Sequence, residues 1–195
     1  MPDKIIMGID PGTNTTGYGI VRTDGRRIQC IVLGDIDLHR LGDPYRKLSR
    51  IFERVCALIE AYRPDEVALE SPFFGENVQS MLKLGRAQGV AMAAALSKGL
   101  PVSEYAPRRI KQAITGQGAA SKEQVALILK NMLHLDELPK RLDATDGLAV
   151  AVCHCFQSSQ PAGLASAPRK KALGGGPATK SWEQFLAEHP ERIKK

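Results

Sequence analysis

The order of hydrophobic periodicities along the chain constrains its fold more than any single residue. Lys4–Asp10 is a short apolar run closed by Pro11-Gly12; Tyr18–Arg22 and Ile28–Ile36 are two more extended runs, joined across Asp24-Gly25, a hairpin signal. Three strands linked by tight turns predict an antiparallel start. Helical and extended signals then alternate. Over Asp43–Tyr62 the residues Leu48, Ile51, Phe52, Val55, Leu58, Ile59 and Tyr62 recur at spacings of three and four, until Arg63-Pro64 ends the helix. Glu66–Glu70 reads as a brief strand, Val78–Lys98 as a long helix rich in Ala and Gly, Pro101–Tyr105 as a strand and Pro107–Ile114 as a short helix. Ser121-Lys-Glu-Gln124 is a capping box opening a helix to Leu133, and Leu142–Phe156 is the last helix. The pattern predicts an α/β fold with a mixed five-stranded sheet flanked by helices.

The composition shifts after Gln157. Pro161-Ala-Gly, Pro168-Arg-Lys-Lys and Gly174-Gly-Gly-Pro177 read as linker. The chain carries 27 basic and 21 acidic residues among its 195, a net +6. Residues 159–195 hold seven of the bases (Arg169, Lys170, Lys171, Lys180, Arg192, Lys194, Lys195) against Glu183, Glu188 and Glu191. The expected division is therefore a folded domain over 1–158 and a basic, Pro/Gly-rich tail over 159–195. Near 181–189 a second capping box and Trp182, Phe185, Leu186 and His189 on one side predict a short amphipathic helix. That helix is either part of an arm lying on the body or a docking peptide for a partner. Any polyanion site in the body must be a local patch, because little of the net charge is there. No apolar run reaches the roughly 18 residues of a membrane span, and the opening Met1-Pro-Asp-Lys-Ile-Ile lacks a signal-peptide layout. The cytoplasm is the expected compartment. Four cysteines at this length do not make a disulfide scaffold, and Cys153-His154-Cys155, in an apolar helical stretch, reads as core rather than as a zinc knuckle.

The carboxylates carry the chemistry. Asp10 and Glu70 each close an apolar strand, and the carboxyl ends of strands are where α/β sheets build sites. Asp143 and Asp146 are three apart at a helix start and share a face. Each has an ordinary explanation: Asp before Pro-Gly is turn chemistry, and acids in a first turn suit the helix dipole. Brought together, the four would repel and raise one another's pKa values, and would persist at neutral pH only with cations. Hard oxygen donors select Mg²⁺, with Mn²⁺ as a substitute. The spacing leaves open whether the four converge.

Five segments in order carry a resemblance: Met7-Gly-Ile-Asp-Pro-Gly-Thr-Asn-Thr-Thr-Gly-Tyr-Gly-Ile20, Ala68-Leu-Glu-Ser-Pro-Phe-Phe74, Leu82-Lys-Leu-Gly-Arg-Ala-Gln-Gly89, Glu104-Tyr-Ala-Pro-Arg-Arg-Ile-Lys111 and Asp143-Ala-Thr-Asp-Gly-Leu-Ala-Val-Ala151. The chain from Lys4 to about Ser158 resembles the RuvC family of bacterial Holliday-junction resolvases, with the tail outside the resemblance. The resemblance implies a ribonuclease-H-like fold and a crossover junction endodeoxyribonuclease of homologous recombination and DNA repair. It implies paired symmetric nicks that leave 5′-phosphate and 3′-hydroxyl ends, two Mg²⁺ ions per subunit, and a homodimer formed through Val78–Lys98. It also implies work with a RuvA–RuvB branch-migration complex in the bacterial cytoplasm. By position, Asp10, Glu70, Asp143 and Asp146 are the expected metal-binding and catalytic residues. Lys111 and Lys122 are expected to face DNA phosphate, Arg108 to bind DNA, and Phe73 or Phe74 to stack on a base near the crossover.

Two neighbouring readings are weaker. The Asp10–Thr16 segment also resembles the first phosphate loop of actin-like kinases, but such proteins repeat the fold unit twice and 195 residues cannot hold two. A YqgF-like nuclease acting on RNA shares the opening motif. It is not expected to carry the Phe73 loop together with Lys111 and Lys122.

Overall fold

The computed structural model describes residues 3–72, 77–139 and 141–158. Five strands form one mixed sheet in the order β3-β2-β1-β4-β5. The meander of β1 (Lys4–Asp10), β2 (Thr15–Thr23) and β3 (Ile28–Asp37) is antiparallel, whereas β4 (Glu66–Glu70) and β5 (Val102–Tyr105) run parallel to β1. The hairpin at Asp24-Gly25 forms as expected: Gly25 takes a φ of 88°, and the Asp24 carboxylate accepts from the Arg26 and Arg27 amides at 2.7 Å.

The remaining elements are helices: α1 (Pro44–Tyr62), α2 (Val78–Ser97), α3 (Pro107–Thr115), α4 (Lys122–Leu133) and α5 (Asp143–Ser158). Asp43 caps α1, Asn77 caps α2, and the capping box predicted at Ser121-Gln124 opens α4 with both of its bonds made. One sheet face packs on α1 and α2 through Met7, Ile9, Ile20, Val67 and Leu69. The other packs on α3, α4 and α5 through Ile6, Val21 and Ala68. The alternation is the period-two rule of a strand, and both faces are covered, so the central strands are apolar throughout.

One sequence-based boundary shifts. β2 begins at Thr15, not Tyr18, because Gly17 lies inside the strand instead of in the preceding turn. A Cβ on Gly17 would stand 1.8 Å from the carbonyl oxygen of Asp143, and a Cβ on Gly147 would stand 2.5 Å from Cα of Tyr18. These two glycines let the start of α5 lie directly on the sheet. The small residues of α2 also have a settled use: Ala87, Ala91, Ala94 and Ala95 are buried within the chain, beside α1. The outer side of α2 leaves Val78, Leu82 and Leu96 more than half exposed. Among the described residues no helix is long and apolar enough to cross a membrane. Phe73, Phe74 and the helix expected near 181–189 lie outside the described residues.

Candidate active site

Strand parity brings the first two carboxylates together. On β1, Ile6, Gly8 and Asp10 share the face turned to α5; on β4, Glu66, Ala68 and Glu70 do. Ile9 pairs with Leu69 in the parallel ladder, so Asp10 and Glu70 follow as neighbours at the carboxyl edge. α5 starts at that same edge, where Gly17 and Gly147 allow contact, and its first turn carries Asp143 and Asp146.

The electrostatics register this convergence. Burial, then repulsion from Asp146, and further on from Asp143, pushes the Asp10 carboxyl up to about 7. Burial, then the charges of Asp10 and Asp146, pushes Glu70 up to about 8. Asp146 is also raised, by burial first and Asp143 after it, although Lys122 pulls against both. The ammonium of Lys122 is ion-paired with the Asp146 carboxylate. Burial works against that charge, but the bond to Asp146 and the fields of Asp10 and Asp143 raise the Lys122 pKa on balance. Lys111, from α3, lies near enough to Glu70 and Asp146 to lower both. Four other residues expected at the site, Asp143, Asp146, Lys111 and Lys122, therefore interact with Asp10 or Glu70, and Asp10 acts on Glu70. Arg108 is exposed at the start of α3; a Cβ on Gly118, in the turn before α4, would stand 2.5 Å from its Cγ.

The donor set suits a hard divalent cation. It consists of carboxylate oxygens alone, and burial, followed by mutual repulsion, raises two of its members to about 7 and about 8. Among the described residues no three donors already stand close enough to enclose an ion. Among the described residues, Lys122 makes the only ion pair with these four acids.

Sequence reasoning missed a second polar system on the same elements. At the opposite end of β4, Glu66 Oε2 lies 2.6 Å from Nε2 of His154, Glu66 Oε1 accepts from Lys4 Nζ at 2.5 Å, and the Tyr105 hydroxyl is 2.8 Å from His154 Nδ1. Cys153 and Cys155 flank that histidine inside the core, as expected, with burial pushing their thiols up to about 11 and about 12. The available signal was Glu66 itself: it shares the parity of Glu70, so its side chain faces α5.

Comparison with known proteins follows this geometry. Residues 6–154 match the family model described as crossover junction endodeoxyribonuclease RuvC. A protein of that name from Bacteroides fragilis is 55% identical over 194 residues, covering 98% of this chain and 97% of the relative. One from Cytophaga hutchinsonii is 54% identical over 98% of this chain and 89% of its own length. These alignments run into residues 159–195, so the tail, expected to lie outside the resemblance, is shared with such relatives. A Thermus thermophilus RuvC solved in complex with a Holliday junction substrate superposes with a TM-score of 0.74 at 33% identity, over 80% of this chain and 95% of that one. The chain belongs to the RuvC family of crossover junction endodeoxyribonucleases.

Proposed function

We propose that this protein cuts four-way DNA junctions at the carboxylate cluster, with Mg²⁺ held by Asp10, Glu70, Asp143 and Asp146. One observation carries the reading: four acids from β1, β4 and α5 meet at one sheet edge, and their mutual repulsion is left largely unpaired. Such a cluster calls for divalent cations at neutral pH, and family membership supplies the substrate class. Bound there, two divalent cations would supply a Lewis acid for the phosphate and counter-charge for the oxygens that become anionic during hydrolysis.

The chain's own groups do the rest. Asp10 and Glu70 must release their protons to act as ligands, which ties activity to pH. Lys122 and Lys111 place two positive charges beside the carboxylates, where the scissile phosphate and its neighbours come to lie. When DNA arrives, Lys122 can exchange its bond with Asp146 for a bond to phosphate. Phe73 and Phe74 follow Glu70 by three and four residues and suit base stacking at the crossover. Arg108 suits a phosphate further along the strand.

Paired cutting calls for two sites. The outer stripe of α2 (Val78, Leu82, Leu96) together with Gly85 and Gly89, where an added Cβ would meet nothing within 4 Å, supports a two-fold dimer through this helix. A RuvA–RuvB complex and the bacterial cytoplasm come with the family. Residues 1–158 are the nuclease unit, and 159–195 an appendage to it.

The test is strand cleavage of a synthetic, branch-migrating four-way junction with Mg²⁺, beside a linear duplex of the same sequence. Paired nicks on the junction alone, resealed by ligase, support the reading. Cutting of RNA or RNA–DNA hybrids with the junction left intact would move the protein to a YqgF-like role.

A further inference from the structure

A cavity of about 380 Å³ lies on the far side of the turn that follows Asp10, between that turn, α1 and α2. Its size suits a small ligand such as one nucleotide. Leu48, Ile51 and Leu84 line it with apolar surface, and Lys47, Lys83 and Arg86 add three cations. No acidic residue lines it among the described residues, and none of these cations takes part in an ion pair there. Lys47 donates to the Thr13 carbonyl at 3.0 Å and to the Asn14 side-chain oxygen at 2.9 Å, so one wall of the cavity is fastened to the Asp10 turn. An apolar lining with unpaired cations is complementary to a flat base carrying a phosphate.

The position on α2 separates this cavity from the stripe assigned to the dimer. At 3.6 residues per turn, Val78, Leu82, Gly85, Gly89 and Leu96 fall on one side of the helix, while Ser80, Lys83, Leu84 and Ala87 fall on another, with Arg86 at the boundary between them. Docking of two copies through the first side leaves the second open to DNA.

We propose that this cavity is a second DNA subsite, which takes an unpaired nucleotide of the junction a short distance from the phosphate being cut. The proposal rests on the junction-cutting reading above. The base lies on Leu48 and Leu84, and its phosphate meets Lys83 and Arg86. A junction offers such a nucleotide at its crossover, where unstacking a base costs less than in a continuous duplex.

The experiment uses the full-length protein and a fluorescent four-way junction in EDTA, with binding followed across a salt series. Lys83→Ala and Arg86→Ala are each expected to weaken binding about tenfold and to reduce the log–log salt slope by about 0.9, the loss of one phosphate contact. Lys83→Arg is expected to restore both. Ser80→Trp changes an exposed residue in the first turn of α2 and fills the cavity mouth; it is expected to weaken binding while leaving the slope of Lys83→Ala unchanged when combined with it. With 2-aminopurine walked through the junction, one position near the crossover is expected to brighten with the wild-type protein and not with Ser80→Trp. Millimolar mononucleotide is expected not to displace the junction, which separates a strand-borne nucleotide from a free one.

Unchanged binding and slope in Lys83→Ala and Arg86→Ala would overturn the proposal. So would a reduced slope with Ser80→Trp silent, which places the cations on the surface and not at the cavity, or a dimer that falls apart on Lys83→Ala. Failure of the junction-cutting reading is distinct from all of these: there the wild-type protein itself neither prefers nor cuts the junction.

Discussion

His154 and Glu66 face each other at 2.6 Å between α5 and β4, with Lys4 and Tyr105 closing the chain of bonds at either end. Three of the four members sit on an element that also carries a proposed site residue. Lys4 shares β1 with Asp10, Glu66 shares β4 with Glu70, and His154 shares α5 with Asp143 and Asp146. Tyr105 ends β5, which leads into α3 and Lys111. The network fixes at one end of these elements the relative placement that the carboxylates need at the other.

His154→Phe leaves the Glu66 carboxylate and the Tyr105 hydroxyl each short of a partner. A lost partner of this kind costs about 1–3 kcal/mol, so melting should fall by roughly 2–10 °C for a domain of this size. The cutting rate of the folded variant should fall with junction affinity retained, and His154→Gln should recover part of it. An unchanged rate would reduce the network to a stabilising role.

The raised carboxyls make a signed prediction for stability. Folded Asp10 and Glu70 hold protons up to about 7 and about 8, whereas in the unfolded chain they release them near 4. Between those limits the native state binds more protons than the unfolded one, so stability falls as pH rises. In EDTA, the melting temperature should therefore climb from pH 8.5 down to about pH 5.5, and Asp10→Asn should flatten the climb. Saturating Mg²⁺ should flatten it too, and Mg²⁺ binding near pH 7 should release protons measurable by calorimetry in two buffers.

The ion pair of Lys122 with Asp146 gives a contrasting pair of effects. Lys122→Met removes a resident positive charge from the acid cluster. Without DNA, Mn²⁺ should then bind more tightly, by a factor of roughly 10 for an interaction worth about 1.4 kcal/mol. Junction cutting should slow nonetheless, because the phosphate loses its partner. Equal losses of metal affinity and cutting would show that the lysine supports the metal site instead of competing within it.

Much of this was legible beforehand. Strand order, helix spans and the α4 cap follow from periodicity and capping signals, and strand ends pointed to Asp10 and Glu70. Their convergence with Asp143 and Asp146 was not readable from spacing, because it depends on how closely α5 approaches β2. Gly17 and Gly147 hold that information, yet in sequence a glycine for close contact looks like a glycine for a turn, which is why β2 was expected to begin three residues late. Likewise His154, in an apolar stretch, showed no partner, since Glu66 lies 88 residues away and meets it only through the sheet.

Gly17→Ala tests the seating of α5 directly. The new methyl would meet the Asp143 carbonyl at 1.8 Å, which forces backbone movement. Overpacking against side chains costs about 1–3 kcal/mol, and backbone yields less readily. The variant should melt at least several degrees lower and need more Mg²⁺ for half-maximal cutting. A normal Mg²⁺ requirement in a stable variant would mean that the start of α5 can shift without loss of the site.

The central claim is that the carboxylates serve hydrolysis and not DNA holding. The direct measurement is junction binding and junction cutting side by side for Asp10→Asn, with the fold checked by circular dichroism. The account predicts that binding stays within a few-fold of wild type, or tightens as a repelling charge is lost, while cutting falls by at least about a thousandfold, on the order of the loss on removing an essential catalytic group. Binding lost together with cutting in a folded protein would contradict it, and so would cutting that survives the substitution.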